Sequence, residues 1–143
     1  MSNDAIDRKK ILLVDDDELH LITAELYLKE DYDIYKARSG DEALKHLYNS
    51  EAVPDLILLD IIMPNMDGWE VFRRIKAISV LQNVPIVFLT SEDGEAEKKK
   101  ARKLGAVDYI TKPFNMTFLK STIKEILKIK GNLSKPYDIR SRE

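Results

Sequence analysis

Three short apolar runs limit most strongly what this chain can fold into. They are Lys10 to Val14, Asp55 to Leu59 and Pro85 to Leu89. After its polar or proline start, each run is unbroken Val, Leu, Ile or Phe, with none of the polar alternation of a strand that has one face in water. Strands buried on both faces read this way, and such strands belong to sheets covered by helices on both sides. Two more runs, Tyr32 to Ala37 and Val107 to Ile110, also read as strands.

Helical spacing fills the gaps between these strands. Leu19, Ile22 and Leu26 mark a first helix reaching about Glu30, with Asp17 as its N-cap. Ala43, Leu44 and Leu47 mark a second over Gly40 to Asn49. After a Pro64-Asn65-Met66-Asp67-Gly68 turn, Val71, Phe72, Ile75 and Ile78 mark a third. A charged fourth helix runs from about Asp93 to Leu104, closed by Gly105. Asn115 caps a fifth, to Lys130, whose inner stripe is Phe118, Leu119, Ile123, Ile126 and Leu127. Strand and helix therefore alternate five times. That pattern implies an α/β domain with a parallel sheet, right-handed crossovers and helices on both faces.

The 143 residues suit one domain, predicted over residues 10–130, with an N-terminal tail at 1–9 and a C-terminal tail or truncated linker at 131–143. Hydrophobic residues make up 44%, enough for a core, and charged residues 34%. The net charge of −2 gives no general attraction to nucleic acid or anionic membrane. No cysteine is present, which excludes thiol catalysis, disulfides and thiolate metal sites. The polar start is not a signal peptide, and no apolar run approaches a membrane span. The expected setting is cytoplasmic. In that setting the sequons at Asn115 and Asn132 carry no weight as glycosylation sites.

In a parallel sheet of this kind, ligands bind beyond the carboxyl ends of the strands. The residues there are Asp15, Asp16 and Asp17, then Asp60, then Thr90 and Ser91, then Thr111, Lys112 and Pro113. Converging carboxylates repel unless a cation sits among them, and a hard divalent ion such as Mg²⁺ takes oxygen ligands. An aspartate can also attack phosphorus to give an acyl phosphate. The charge on the transferring oxygens must then be neutralised, and Lys112 can do that as a point charge. Thr90 offers a hydroxyl. No nucleotide-binding glycine loop is present.

Over Lys10 to Lys130 the chain resembles the receiver domains of two-component response regulators. The matching segments are Ile-Leu-Leu-Val-Asp15-Asp16-Asp17, Leu-Ile-Leu-Leu-Asp60, Met63-Pro64-Asn65-Met66-Asp67-Gly68, Val-Phe-Leu-Thr90 and Gly105-Ala-Val-Asp-Tyr109-Ile-Thr-Lys112-Pro113-Phe114. The resemblance implies a flavodoxin-like doubly wound sheet in the order 2-1-3-4-5, for which a receiver serves as a standing example. It implies that Asp60 is the phospho-acceptor. Asp16, Asp60 and the Ile62 carbonyl would hold Mg²⁺, with Asp15 acting through a metal-bound water. Lys112 would pair with Asp60 at rest, across a cis Lys112–Pro113 bond. Thr90 and Tyr109 would be the switch pair, Tyr109 turning inward on phosphorylation. The donor would be a sensor histidine kinase or a histidine phosphotransfer protein. The downstream effector is open, and the chain is either a stand-alone receiver or part of a longer regulator.

Other readings compete at single positions. Val14-Asp15-Asp16-Asp17 also fits the start of haloacid-dehalogenase-type phosphatases, with Asp15 as nucleophile and Asp17 as general acid. That reading leaves Asp60 and the Met63–Gly68 turn without a role. The basic run Lys98, Lys99, Lys100, Arg102 and Lys103 reads as a solvated face ion-paired with Glu95 and Glu97. His20 and His46 read as surface residues.

Overall fold

The computed structural model describes residues 8–49 and 53–130. Five strands, β1 (Lys10–Val14), β2 (Asp33–Ala37), β3 (Leu56–Leu59), β4 (Ile86–Thr90) and β5 (Asp108–Thr111), form one sheet. All neighbours are parallel and the order is β2-β1-β3-β4-β5. The helices are α1 (Glu18–Leu28), α2 (Gly40–Asn49), α3 (Gly68–Lys76), α4 (Glu95–Leu104) and α5 (Met116–Lys130). A single 3-10 turn at Ser79–Leu81 precedes β4. Residues 1–7 and 131–143, which hold most of the expected tails and Asn132, lie outside the described residues.

The unbroken apolar runs divide between two cores. Leu12, Val14, Ile57, Leu59, Ile86 and Phe88 point to one side, against Leu44, Leu47, Val71, Phe72, Ile75 and Ala101 of α2, α3 and α4. Ile11, Leu13, Leu56, Leu58, Val87 and Leu89 point to the other, against Leu21, Leu28, Leu119, Ile123 and Ile126 of α1 and α5. Each fully buried Leu, Ile or Phe contributes about 1.5–3 kcal/mol of transfer free energy. A polar side chain at any of these positions would therefore be costly on either face.

α1 departs from its sequence reading. Leu19, Ile22 and Leu26, whose spacing marks the helix, are 69%, 40% and 58% exposed. Leu21 and Leu28 are the buried residues, with Ala24 packed beside them. The two stripes have the same period, and the packing of the helix against β1 and α5 selects between them. The end of α1 is tied by Arg8, whose guanidinium donates to the Asp33 carboxylate and to the carbonyls of Lys29, Glu30 and Tyr32. Those carbonyls have no partner within the helix, so the arginine supplies a C-terminal cap from before β1.

Candidate functional site

The chain leaves β1 for β2 on one side, while β3 lies on the other, so strand order reverses between β1 and β3. Their register sets Val14 beside Leu59, and the Asp60 amide donates to the Val14 carbonyl at 2.9 Å. Asp15 and Asp60 therefore emerge side by side at the carboxyl edge. Both are buried, while Asp16 is exposed. One carboxylate oxygen from each of Asp15, Asp16 and Asp60 lies within 4.8 Å of the others. All the donors are hard oxygens, and their negative charge exceeds what one lysine neutralises. The set fits a divalent ion of the Mg²⁺ type.

Local hydrogen bonds fix each acid. Asp15 Oδ1 accepts from the Asp17 amide at 2.9 Å, and Asp60 Oδ1 from the Ile62 amide at 3.2 Å. Asp17 caps α1, its carboxylate accepting from the Leu19 and His20 amides. That role leaves the general acid of the phosphatase reading committed to the helix. The loop after Asp60 returns tightly. Gly68 donates to the Ile61 carbonyl at 2.8 Å, and Asp67 caps α3 through the Glu70 amide. A Cβ on Gly68 would lie 2.3 Å from the Asp60 carbonyl oxygen and 2.6 Å from Ile61 Cα, so only glycine fits here. In this way the Met63–Gly68 turn packs α3 directly behind Asp60.

Lys112 reaches the acids from the end of β5, and the Lys112–Pro113 bond is cis. Its Nζ lies 2.6 Å from Asp15 Oδ2 and 3.3 Å from Asp60 Oδ2, so its shorter ion pair is with Asp15. Burial raises the Asp60 carboxyl above its ordinary value; the Lys112 charge opposes the rise and Asp15 adds to it. The Ile62 amide and the Thr90 hydroxyl also favour the ionised form. Thr90 is fully buried, and its Oγ1 accepts from the Glu92 amide at 3.3 Å. The Ile62 side chain is exposed beside the acids.

Tyr109 faces inward. Its ring is buried 6.1 Å from that of Phe88, and its hydroxyl donates to the Glu92 carbonyl at 2.6 Å. The Glu92 carbonyl satisfies the one polar atom of this inward-facing ring. Burial, then Glu97, Glu92 and Asp93, push the phenol up to about 12.

His20 is on the surface as expected, half exposed, but it does not stand alone. Its Nδ1 lies 3.0 Å from Lys112 Nζ and 3.3 Å from Asp15 Oδ2. The Asp17 cap turns the first turn of α1 over the end of β1, carrying His20 into the site. The signal was Asp17-x-x-His20 directly after the acid pair. His46 instead packs against Tyr35. On α4 the ion pairing is thinner than its sequence implied. Lys98 approaches Glu95 at 3.8 Å, whereas the Lys100 ammonium stands 4.3 Å over the Trp69 ring. Asn115 caps α5, its side chain accepting from the Phe118 amide.

An open groove of about 730 Å³ runs from the acids along α1 to the segment after β5, lined by Leu19, His20, Thr23, Ile62, Pro113 and Phe114 among others. Among the described residues, no helix is long and apolar enough to cross a membrane.

A sheet of this order, with acids and a lysine at its reversal point, is the architecture of a signalling receiver. The family model described as response regulator receiver domain matches residues 11–124, and the chain belongs to that family. Solved structures agree. A two-component response regulator from Clostridium difficile is 30% identical with a TM-score of 0.77, covering 85% of this chain and 97% of that one. A response regulator described as putative, from Chloroflexus aurantiacus, is 32% identical with a TM-score of 0.78, covering 85% and 99%. A CheY-like receiver domain protein from Methanospirillum hungatei is 30% identical with a TM-score of 0.79, covering 87% and 98%. The chain is therefore a receiver domain of a two-component response regulator, a family of signalling switches that interact with histidine kinases or phosphotransfer proteins.

Proposed function

We propose that Asp60 accepts a phosphoryl group from a phosphohistidine on a sensor histidine kinase or phosphotransfer protein, in the cytoplasm, and that the modification alters a partner-binding face. The observation carrying this reading is the convergence of Asp15, Asp16 and Asp60 within 4.8 Å, with the Lys112 ammonium between Asp15 and Asp60. A carboxylate oxygen of Asp60 attacks phosphorus. The O–P bond forms as the donor's N–P bond breaks, and the imidazole leaves with the electron pair. Lys112 moves its charge from the carboxylates to the phosphoryl oxygens. Asp16, Asp60 and the Ile62 carbonyl would hold Mg²⁺, with Asp15 acting through water, and the ion would supply positive charge to the transferring group.

The phosphoryl oxygens also draw on the Thr90 hydroxyl, beside the Asp60 carboxylate. Thr90 bonds the Glu92 amide and Tyr109 bonds the Glu92 carbonyl, so both ends of the switch pair meet one residue. Repositioning Thr90 therefore shifts the β4–α4 loop, and with it the face of α4, β5 and α5. On the opposite side of the site, exposed Leu19, Ile22 and Leu26 provide an apolar seat for the donor protein.

Incubation with acetyl phosphate and Mg²⁺ tests the reading. One acid-stable, base-labile phosphoryl group should appear on Asp60. Asp60→Asn should abolish it, and Asp15→Asn should slow it without moving it. A group mapped to Asp15 by mass spectrometry would favour the phosphatase chemistry instead.

A further inference from the structure

A lysine ammonium has three N–H donors, and Lys112 meets three acceptors. Two are Asp15 Oδ2 and Asp60 Oδ2. The third, His20 Nδ1 at 3.0 Å, lies outside the acids, hydroxyl and lysine that define the site. Nδ1 can accept only if its proton sits on Nε2. Nε2 lies 3.5 Å from Asp17 Oδ2, and the other oxygen of that carboxylate caps α1. Carboxylates thus face both ring nitrogens, and the Lys112 ammonium, nearer to Nδ1 than Asp15 is and able only to donate, selects Nδ1 as the acceptor. His20 Nδ1 and Asp15 Oδ2, 3.3 Å apart, are then both acceptors, and the Lys112 ammonium joins them.

We infer that His20 is a positioning residue for Lys112: with Asp17 facing its Nε2, its Nδ1 holds the ammonium at the strand ends with one donor left for Asp60. Lysine's long flexible stem gives it no fixed direction of its own. Asp15 and His20 occupy two donors on one side of the cleft, and the third then points at the acceptor carboxylate. Asp15 has a second claim on it wherever a cation is bound. His20 has none, so it anchors Lys112 whether or not the ion is there. Asp17 thereby links the start of α1 to the reactive lysine through a single ring.

The consequence for phosphorylation rests on the proposed function; the hold on Lys112 does not. The test therefore uses two measurements on the full chain at pH 8, above the ordinary imidazole range. The first is ¹³C relaxation of the Lys112 Cε methylene, assigned through Lys112→Arg. It should be restrained in the wild type, mobile in His20→Ala and restrained again in His20→Asn, whose amide oxygen replaces Nδ1. The second is the rate of phosphorylation by acetyl phosphate with Mg²⁺. His20→Ala should lower the limiting rate roughly fivefold, with little change in the half-saturating donor concentration, and His20→Asn should restore it. In a Lys112→Ala background His20→Ala should add nothing. Unchanged Lys112 relaxation in His20→Ala, or an equal rate loss without Lys112, would overturn the inference. If the wild type takes no phosphoryl group, the proposed function fails and the relaxation alone decides the role of His20.

Discussion

Replacing Gly68 by alanine tests how closely α3 is bound to Asp60. The new Cβ would sit 2.3 Å from the Asp60 carbonyl oxygen, against the roughly 3.0 Å that real contacts require. The obstacle is backbone, which cannot rotate away. The start of α3 must therefore retreat by about 0.7 Å or more, stretching the Gly68–Ile61 hydrogen bond of 2.8 Å. Overpacking costs about 1–3 kcal/mol and the weakened bond about 1 kcal/mol. Alanine in place of glycine in a helix returns about 0.5–1 kcal/mol. The net loss is about 1–3 kcal/mol. At about 4 °C per kcal/mol for a domain of this size, the melting midpoint should fall by about 4–12 °C. Because Asp60 itself is displaced, phosphorylation by acetyl phosphate should slow at least tenfold. Gly40→Ala is the control, since its Cβ would meet side-chain atoms of Val71 and Met66 that can shift. It should cost less and leave phosphorylation within about twofold. A Gly68→Ala protein that melts with the wild type, by calorimetry and by circular dichroism, would show that the close approach is not a constraint.

Four further outcomes follow from the same geometry. The Asp60 carboxyl is raised first by burial, so its stabilising contribution is present below the unfolded value and is lost as pH rises through the folded one. At pH 7 in EDTA, Asp60→Asn should therefore unfold at a higher urea concentration than the wild type, and a lower midpoint would contradict the burial argument. Tyr109, pushed up to about 12 from 10.0, stabilises the fold fully below pH 10 and loses that contribution as pH rises to 12. Tyr109→Phe should flatten the loss in that window and cost about 1 kcal/mol at neutral pH through the Glu92 carbonyl; an unchanged pH profile by urea titration would speak against it. Leu19→Lys with Ile22→Lys should slow transfer from a phosphohistidine protein at least tenfold while leaving acetyl phosphate kinetics within about twofold, and equal effects on both donors would remove α1 as the seat. Ile62→Asn should shorten the phosphoryl lifetime roughly tenfold by giving the attacking water a polar partner, and slower phosphate release would refute that role.

The strands and the site acids were legible in sequence because burial on both faces leaves a one-dimensional mark. Runs such as Leu56–Leu59 need no partner to be recognised, and an acid that ends such a run is placed by it. α1 was legible only as a helix. Leu19, Ile22 and Leu26 share their spacing with Leu21, Ala24 and Leu28, and the choice between the stripes is made by β1 and α5. His20 was missed for a related reason, since its partner lies 92 residues away and becomes a neighbour only once β5 is laid down. The inward position of Tyr109 depends on the Glu92 carbonyl, and no side-chain pattern announces a backbone acceptor.

Trp69 is the only tryptophan in the chain. Its indole is 4.9 Å from Phe88, the ring that also meets Tyr109, and the Lys100 ammonium of α4 stands over its face. An indole's emission responds to the charge above it and to the water around it. The protein thus carries its own optical probe at the joint between α3 and α4, wired on one side to the Phe88–Tyr109 stack and on the other to the Lys100 side of α4. Its intensity and colour would follow any movement of α4 in real time, with no label attached.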